Sequence, residues 1–325
     1  MDVSEAVSTT VTDKPLTGAK AGWLAWASLG VVYVVWGSTY LAIRFSVETM
    51  PPFLSAGARF LASGFLLCVA VLIFSGPGGF RMTWPQFGTA ALVGVLLPAW
   101  GNGLVVVAEQ HVASGLAALL IASIPLYVVV LRRIIGQRPP PVTLIGVLIG
   151  VAGLVVLLLG GPIAGAHGAS WWGPWLVLVA GAGWATGTVA GSRLPVPKNP
   201  VTFSAVGMLV GGAVLTVGSV VDGERADFAA MSTASWVSWA YLVLFGALAF
   251  SAYVYALGHL PVSTVATYAY VNPVIAVVLG VLLADENFGW AQLLGGLIVV
   301  CAVVLVVRAE SRASRKTVAP EGTPR

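Results

Sequence analysis

Charge is scarce in this sequence of 325 residues: Asp, Glu, Lys and Arg make up 9% of it and hydrophobic residues 58%, where an average soluble domain carries roughly 25% charge. No water-soluble core could bury so much apolar surface, which excludes a soluble domain. Cysteine and histidine are scarcer still. Cys68 and Cys301 lie inside apolar runs with no CxxC or Cys/His company, so no metal site is expected. Gly76, Gly78 and Gly79 lack the following Lys-Ser/Thr of a phosphate-binding loop, so neither ATP nor another cofactor is implied. His111, His167 and His259 fall at loops or helix ends without a partner pattern. That weighs against the alternative of an integral-membrane enzyme acting on a lipid-soluble substrate, which needs converging nucleophile, base and acid. A receptor or scaffold would need a sizeable soluble domain, and the tails are short.

What is present is a set of long apolar stretches: 23–44, 51–74, 87–108, 114–135, 142–159, 171–191, 201–221, 236–257, 262–283 and 290–307. Each is long enough to span a bilayer as a helix. Residues 23–159 and 171–307 repeat one another with a shift of about 148: Trp36 falls on Trp184, Tyr40 on Thr188, Pro52 on Pro200, Gly64 on Gly212 and Pro125 on Pro273. An odd number of spans per unit forces the second copy to insert upside down. The expected fold is therefore all-α and integral to the membrane, with ten transmembrane helices built as two inverted five-helix repeats, an arrangement typical of secondary transporters. Residues 1–22 and 308–325 read as polar tails. With no small-residue cleavage site behind a short apolar core, helix one is expected to stay as an anchor.

Cytoplasmic loops accumulate Lys and Arg. Assigning both tails and the connections after helices two, four, six and eight to one side collects thirteen basic residues there: Lys14, Lys20, Arg81, Arg132, Arg133, Arg138, Arg193, Lys198, Arg308, Arg312, Arg315, Lys316 and Arg325. The other side has Arg225 alone, among Asp222, Glu224 and Asp227. The expectation is a multi-pass protein of the cell membrane with both termini cytoplasmic. Because the basic residues are spread over several short loops, they reflect topology and not nucleic-acid binding. The partners expected are a small-molecule substrate and membrane lipid, with a homodimer left open.

Trp36-Gly37-Ser38-Thr39-Tyr40 in helix one, Pro52 with Ala58-Arg59-Phe60 in helix two, Ser114 to Leu120 followed by Pro125 in helix four, and Gly146 to Gly153 in helix five recur in the second copy through Trp184, Pro200, Ala266, Pro273, Glu286 and Gly295 to Leu297. This ordered set resembles the EamA-type domain of the drug/metabolite transporter superfamily. The resemblance implies a ten-helix basket that exports amino acids, other metabolites or drugs through a central cavity, with helices five and ten peripheral. One departure is Gln137 at the end of helix four, where that family often has Glu; the acid is kept only at Glu286.

Polar side chains in lipid are costly and are expected to face the interior. Trp36 and Tyr40 share a face with Thr39, and Trp184 and Thr188 repeat the spacing, so the two faces can meet across a pseudo-two-fold axis and touch substrate. The competing reading makes both Trp residues interfacial anchors. Helix nine offers Thr264, Tyr268 and Asn272 at four-residue steps, ending at Pro273; Pro125 follows Ser123 and precedes Tyr127 in helix four. A proline frees a carbonyl one turn back, so both prolines are candidates for gating as well as for bends that serve packing. Asn102, flanked by Gly101 and Gly103 and one turn after Pro98, either binds substrate or cross-links helices. In helix eight Ser251 and Tyr255 share a face, with Tyr253 pointing elsewhere.

Arg59 lies about 12 Å along its helix from the outer end, a functional candidate by depth or a snorkelling anchor. Glu109, at the outer end of helix three, is either a solvated loop charge or a proton carrier. A cavity lined by aromatic, hydroxyl and amide groups without a deep carboxylate suits an amphipathic neutral or zwitterionic solute.

Overall fold

The structure is a computed structural model and describes residues 22–137, 139–161, 163–260 and 262–318. Among these residues the chain is helical, with one isolated bridge between Gly165 and Gly168 and no strand. The helices are α1 (Trp23–Ser46), α2 (Pro52–Ser75), α3 (Trp84–Glu109), α4 (Ser114–Ile134), α5 (Pro141–Leu159), α6 (Gly173–Arg193), α7 (Pro200–Asp222), α8 (Thr233–His259), α9 (Tyr268–Ala284) and α10 (Trp290–Val318). Eight of these, α1 to α7 and α10, are long and apolar enough to cross a membrane; α8 is apolar over its fully described part, Thr233–Ala249, and α9 is apolar over Tyr268–Ala284. Pro52, Pro141 and Pro200 open α2, α5 and α7, where the missing N–H was an orphan anyway. Asn199 caps α7 by accepting from the amides of Val201 (2.9 Å) and Thr202 (3.3 Å).

Hydrogen bonds sort the helix termini into two ends. At the terminal end the start of α7 meets the end of α2, Asn199 Nδ2 donating to Ser75 Oγ at 3.3 Å, and Arg132 at the end of α4 pairs with Glu310 on α10. At the far end Glu224, after α7, accepts from the amides of Phe53 (2.9 Å) and Leu54 (2.7 Å) and so caps α2. There Ser235 of α8 also donates to Phe45 O at 2.7 Å.

Helices in lipid gain little from the hydrophobic effect and associate through close packing of small residues. Gly57 of α2 lies against Gly212 and Thr216 of α7, and Gly94 of α3 against Gly207 of α7. Glycines also let α5 and α10 run along one another, Gly153 against Val299 and Gly295 against Leu157. Their outer faces, with Leu148, Leu159 and Leu297, stay exposed, which places this pair at the periphery.

Three helices are irregular. In α3 the segment Val95–Asn102 is a π-helix with Pro98 inside it, a widening that sequence periodicity does not announce. α4 breaks at Ala122–Ser123, so that Pro125 sits in the first turn of a new helix, Ile124–Ile134. The stretch expected as one helix over 262–283 is divided at Ala266–Thr267, leaving the short turn Val262–Val265 before α9, and Pro273 stays inside α9. The two prolines align in sequence but act differently. One begins a helix, and the other is carried within one.

Candidate functional site

The far end is sealed by charge. α9 ends on Asp285, which adopts a left-handed conformation (φ 49°) and turns Glu286 back beneath the helix. Gly280 makes room, since a Cβ there would lie 2.3 Å from Glu286 Oε2. Glu286 is buried and ion-paired with Arg44 of α1. Its Oε1 accepts from the Ser114 amide (2.7 Å) and hydroxyl (2.8 Å), and its Oε2 from the Gly115 amide (3.0 Å), so one carboxylate also caps α4. Charge-assisted bonds to helix N-termini and guanidinium groups are the strong class. In the sequence this acid stands out only as a match to the family pattern, and nothing there singles out Arg44.

Glu109, at the far end of α3, is fully buried, and neither carboxylate oxygen completes a hydrogen bond with another side chain. The reading of it as a solvated loop charge is therefore corrected by its burial, and residues 163–170 run along the backbone at this helix end, with the Ala166 amide donating to Glu109 O (3.3 Å), the His167 amide to Gln110 O (2.6 Å) and His167 Nε2 bonded to Val47 O (2.9 Å). Within electrostatic reach of Glu109 are Arg44, Arg59, Glu286 and Tyr40. Arg59 does not snorkel. It is 5% exposed, donates to Asn102 Oδ1 and lies 4.4 Å over the Phe60 ring. Asn102 thus acts as a cross-link between α3 and α2, the second of its two sequence readings. Beside Arg59 a cavity of about 10 Å³, room for one water, opens between Ser46, Ser55 and Trp239.

Towards the middle of the bundle the sequence candidates divide. Trp36 meets Tyr268 edge-on at 5.0 Å and Tyr253 at 5.1 Å, and Tyr253 meets Tyr268 at 5.8 Å, a three-ring cluster joining α1, α8 and α9. Tyr253 was read as pointing elsewhere, yet it faces this cluster, whereas Tyr255 is 37% exposed and stacks on His259. The side chain of Ser251 lies outside the described residues. Tyr40 links the cluster to the far-end charges, within reach of both Tyr268 and Glu109. Trp184 packs instead on Gly101 of α3, and Tyr127 on Gly181 of α6, so the Trp36 and Trp184 faces rest on different neighbours. The hydroxyls of Thr39 and Thr188 bond back to Val35 O and Trp184 O, each at 2.9 Å. Asn272 is buried with its Oδ1 unpartnered.

Burial differs between the ends. Every residue of α4 from Ser114 to Leu120 is buried, but between Ile124 and Ile134 only Leu126 and Val129 are. On α6 the buried residues all fall between Gly173 and Gly187, interspersed with the exposed Trp175 and Val179, and Thr188 and Ser192 beyond them are exposed. Gln137, the counterpart of Glu286, accepts from Arg132 of its own helix at 2.5 Å and bridges nothing across the bundle.

Apolar helices of this number and length, gathered around a buried ionic cluster, define a multi-pass membrane protein. The chain matches the EamA-like transporter family over residues 22–159 and 171–308 and belongs to that family. It is 39% identical over 281 residues to the uncharacterized inner membrane transporter YedA of Escherichia coli K12, covering 86% of this chain and 89% of that one. A WAT1-related chloroplastic protein of Arabidopsis thaliana is 27% identical over 90% of this chain and 71% of its own. A crystal structure of a protein at 20% identity shares the fold, with TM-score 0.59 over 88% of this chain and 96% of that one. The chain is thus a membrane transporter by family.

Proposed function

We propose that this transporter is a secondary active exporter in the cell membrane, working by alternating access of two inverted five-helix halves, with both termini in the cytoplasm. The far end then faces outward. The observation that carries the reading is the unequal burial of the two ends: Arg44, Glu286 and Ser114 close one, while the terminal-end halves of α4 and α6 keep accessible surface. A state shut outside and open inside is one of the two that alternating access requires. The Trp36–Tyr253–Tyr268 rings with Tyr40, Thr39, Thr188, Tyr127 and Asn272 suit an amphipathic neutral or zwitterionic solute such as an amino acid, a related metabolite or a drug. Arg59 and Glu109 stand apart from that surface and serve the outer gate. Transport, and not catalysis, is the activity these residues support.

Counterflow of labelled amino acids and amphipathic drugs in liposomes holding the purified protein tests the function. No exchange above empty liposomes for any of them would overturn it. Tyr268→Ala should slow counterflow by more than about tenfold while the protein still inserts, because an edge-on aromatic contact worth roughly 0.5–1.5 kcal/mol is lost together with the ring's apolar area. An unchanged rate would reassign the cluster to packing. Orientation is read by single cysteines: Ala230→Cys, exposed after α7, should label from outside intact cells, and Ser75→Cys, exposed at the end of α2, only after permeabilisation. Labelling of both from one side would overturn the topology.

A further inference from the structure

Glu109 stands at the outer gate without a side-chain partner of its own. It is fully buried, and neither of its oxygens completes a hydrogen bond with a side chain although Arg44 and Arg59 lie within electrostatic reach. Arg44 presents the complementary deficiency: Nη1 holds Glu286, but its buried Nε has no partner, and the same is true of Arg59 Nε. A buried charge is retained in membrane proteins where it moves or switches something. We propose that Glu109 carries the proton that couples transport to the proton gradient, and that Arg44 exchanges partners, Glu286 when the outer gate is shut and Glu109 when it opens. This rests on the transport reading above.

The groups facing Glu109 set the direction of coupling. They are Arg44 and Tyr40 of α1, Arg59 of α2 and Glu286 of the α9–α10 turn. α4 contributes Ser114, whose hydroxyl is committed to Glu286, and the 163–170 segment contributes His167, whose ring is committed to Val47 O. With Glu109 ionised, two cations balance two anions. Opening the gate withdraws Glu286 and leaves Arg44 and Arg59 against Glu109 alone. With Glu109 neutral, the same opening leaves two guanidinium groups with no anion, so a proton on Glu109 holds the gate shut and its loss frees Arg44 to let go of Glu286. Two guanidinium groups at this range also repel metal cations, which makes a proton the fitting ion.

The cycle balances. From the open outer gate a hydronium ion protonates a Glu109 oxygen, with the water-sized cavity beside Arg59 on the approach. The gate shuts on the Arg44–Glu286 pair. With the inner side open the O–H bond breaks and the proton passes by Tyr40 to water, and the ionised carboxylate again competes for Arg44. Solute leaves as the gate opens, so one proton enters for each outward passage, an antiport.

The test needs no known solute. With Cys68 and Cys301 replaced by Ser, a cysteine at Ala113, buried in the shut gate, reports gate opening through its labelling by an impermeant thiol reagent applied outside cells. The exposed Ala230→Cys corrects for thiol ionisation. The corrected rate should fall by up to about tenfold per unit of external acidification around the midpoint of the Glu109 carboxyl. Glu109→Gln should label slowly at every pH, and Glu109→Asp should keep a titration with a displaced midpoint. A rate that ignores pH in the wild type, or that titrates unchanged in Glu109→Gln, overturns the proposal. Counterflow separates the two readings: flux without a titrating gate sinks the coupling alone, and a titrating gate with no flux for any solute sinks the transport reading.

Discussion

Replacing Glu286 with alanine should leave the far end of the bundle open. The carboxylate satisfies Arg44, the Ser114 amide and hydroxyl, and the Gly115 amide together, so its loss strands a buried cation and two helix N–H groups. Removing one partner of a buried ion pair costs about 3–5 kcal/mol. That penalty falls on the shut state alone, because in the open state Arg44 turns to Glu109 and the amides meet water. Moving a two-state equilibrium from 1:99 to 99:1 takes about 5.5 kcal/mol, so one substitution supplies most of a complete switch. The Ala113→Cys reporter in Glu286→Ala should label rapidly from outside at any pH. Glu286→Gln, which keeps an acceptor for the amides but not the charge, should fall between. A protected cysteine in folded Glu286→Ala would shift the seal to residues 163–170.

Gly94→Ala should be the most damaging single methyl in the molecule. Its Cβ would lie 2.3 Å from Gly207 O and 2.8 Å from Gly207 Cα, backbone against backbone, where no side chain can turn aside. Overpacking commonly costs about 1–3 kcal/mol even where side chains yield. Here α3 must lift off α7, carrying the π-helical segment above it, so the cost belongs at or beyond the top of that range. The thermal midpoint of the detergent-solubilised protein should drop by several degrees or the monodisperse fraction should vanish. Gly88→Ala on the same helix, with nothing within 4 Å of its Cβ, is the control and should be neutral or better. Equal midpoints would mean that α3 and α7 are free to slide.

The helical, membrane-spanning character was legible because hydropathy and length report it directly, and the ordered set from Trp36 to Gly295 carried the family. The faces that carry Trp36 and Tyr268 were legible as candidates by periodicity. That Tyr253, off the Ser251 and Tyr255 face, joins their rings was not, because facing depends on how a helix rotates against α1 and α9. Glu286 and Glu109 were underestimated for a shared reason. Sequence places both at helix ends, where carboxylates are normally solvated, and only the left-handed Asp285 and the packing around the end of α3 put them indoors. The π-helix in α3 and the unequal breaks near Pro125 and Pro273 carry no local signature, since each answers to packing from another helix.

The 163–170 segment has a consequence for how such a molecule could arise. It is the covalent join between the two repeat units, yet it also bonds to the backbone of Glu109, Gln110 and Val47. Two separate chains, one per repeat, would have free ends at this place and no such backbone bonds to Glu109 and Gln110. Fusion of the halves would then have done more than raise their local concentration: it would have tied the end of α1, through Val47, to the end of α3, through Gln110, and so made the two units unlike where one of them ends.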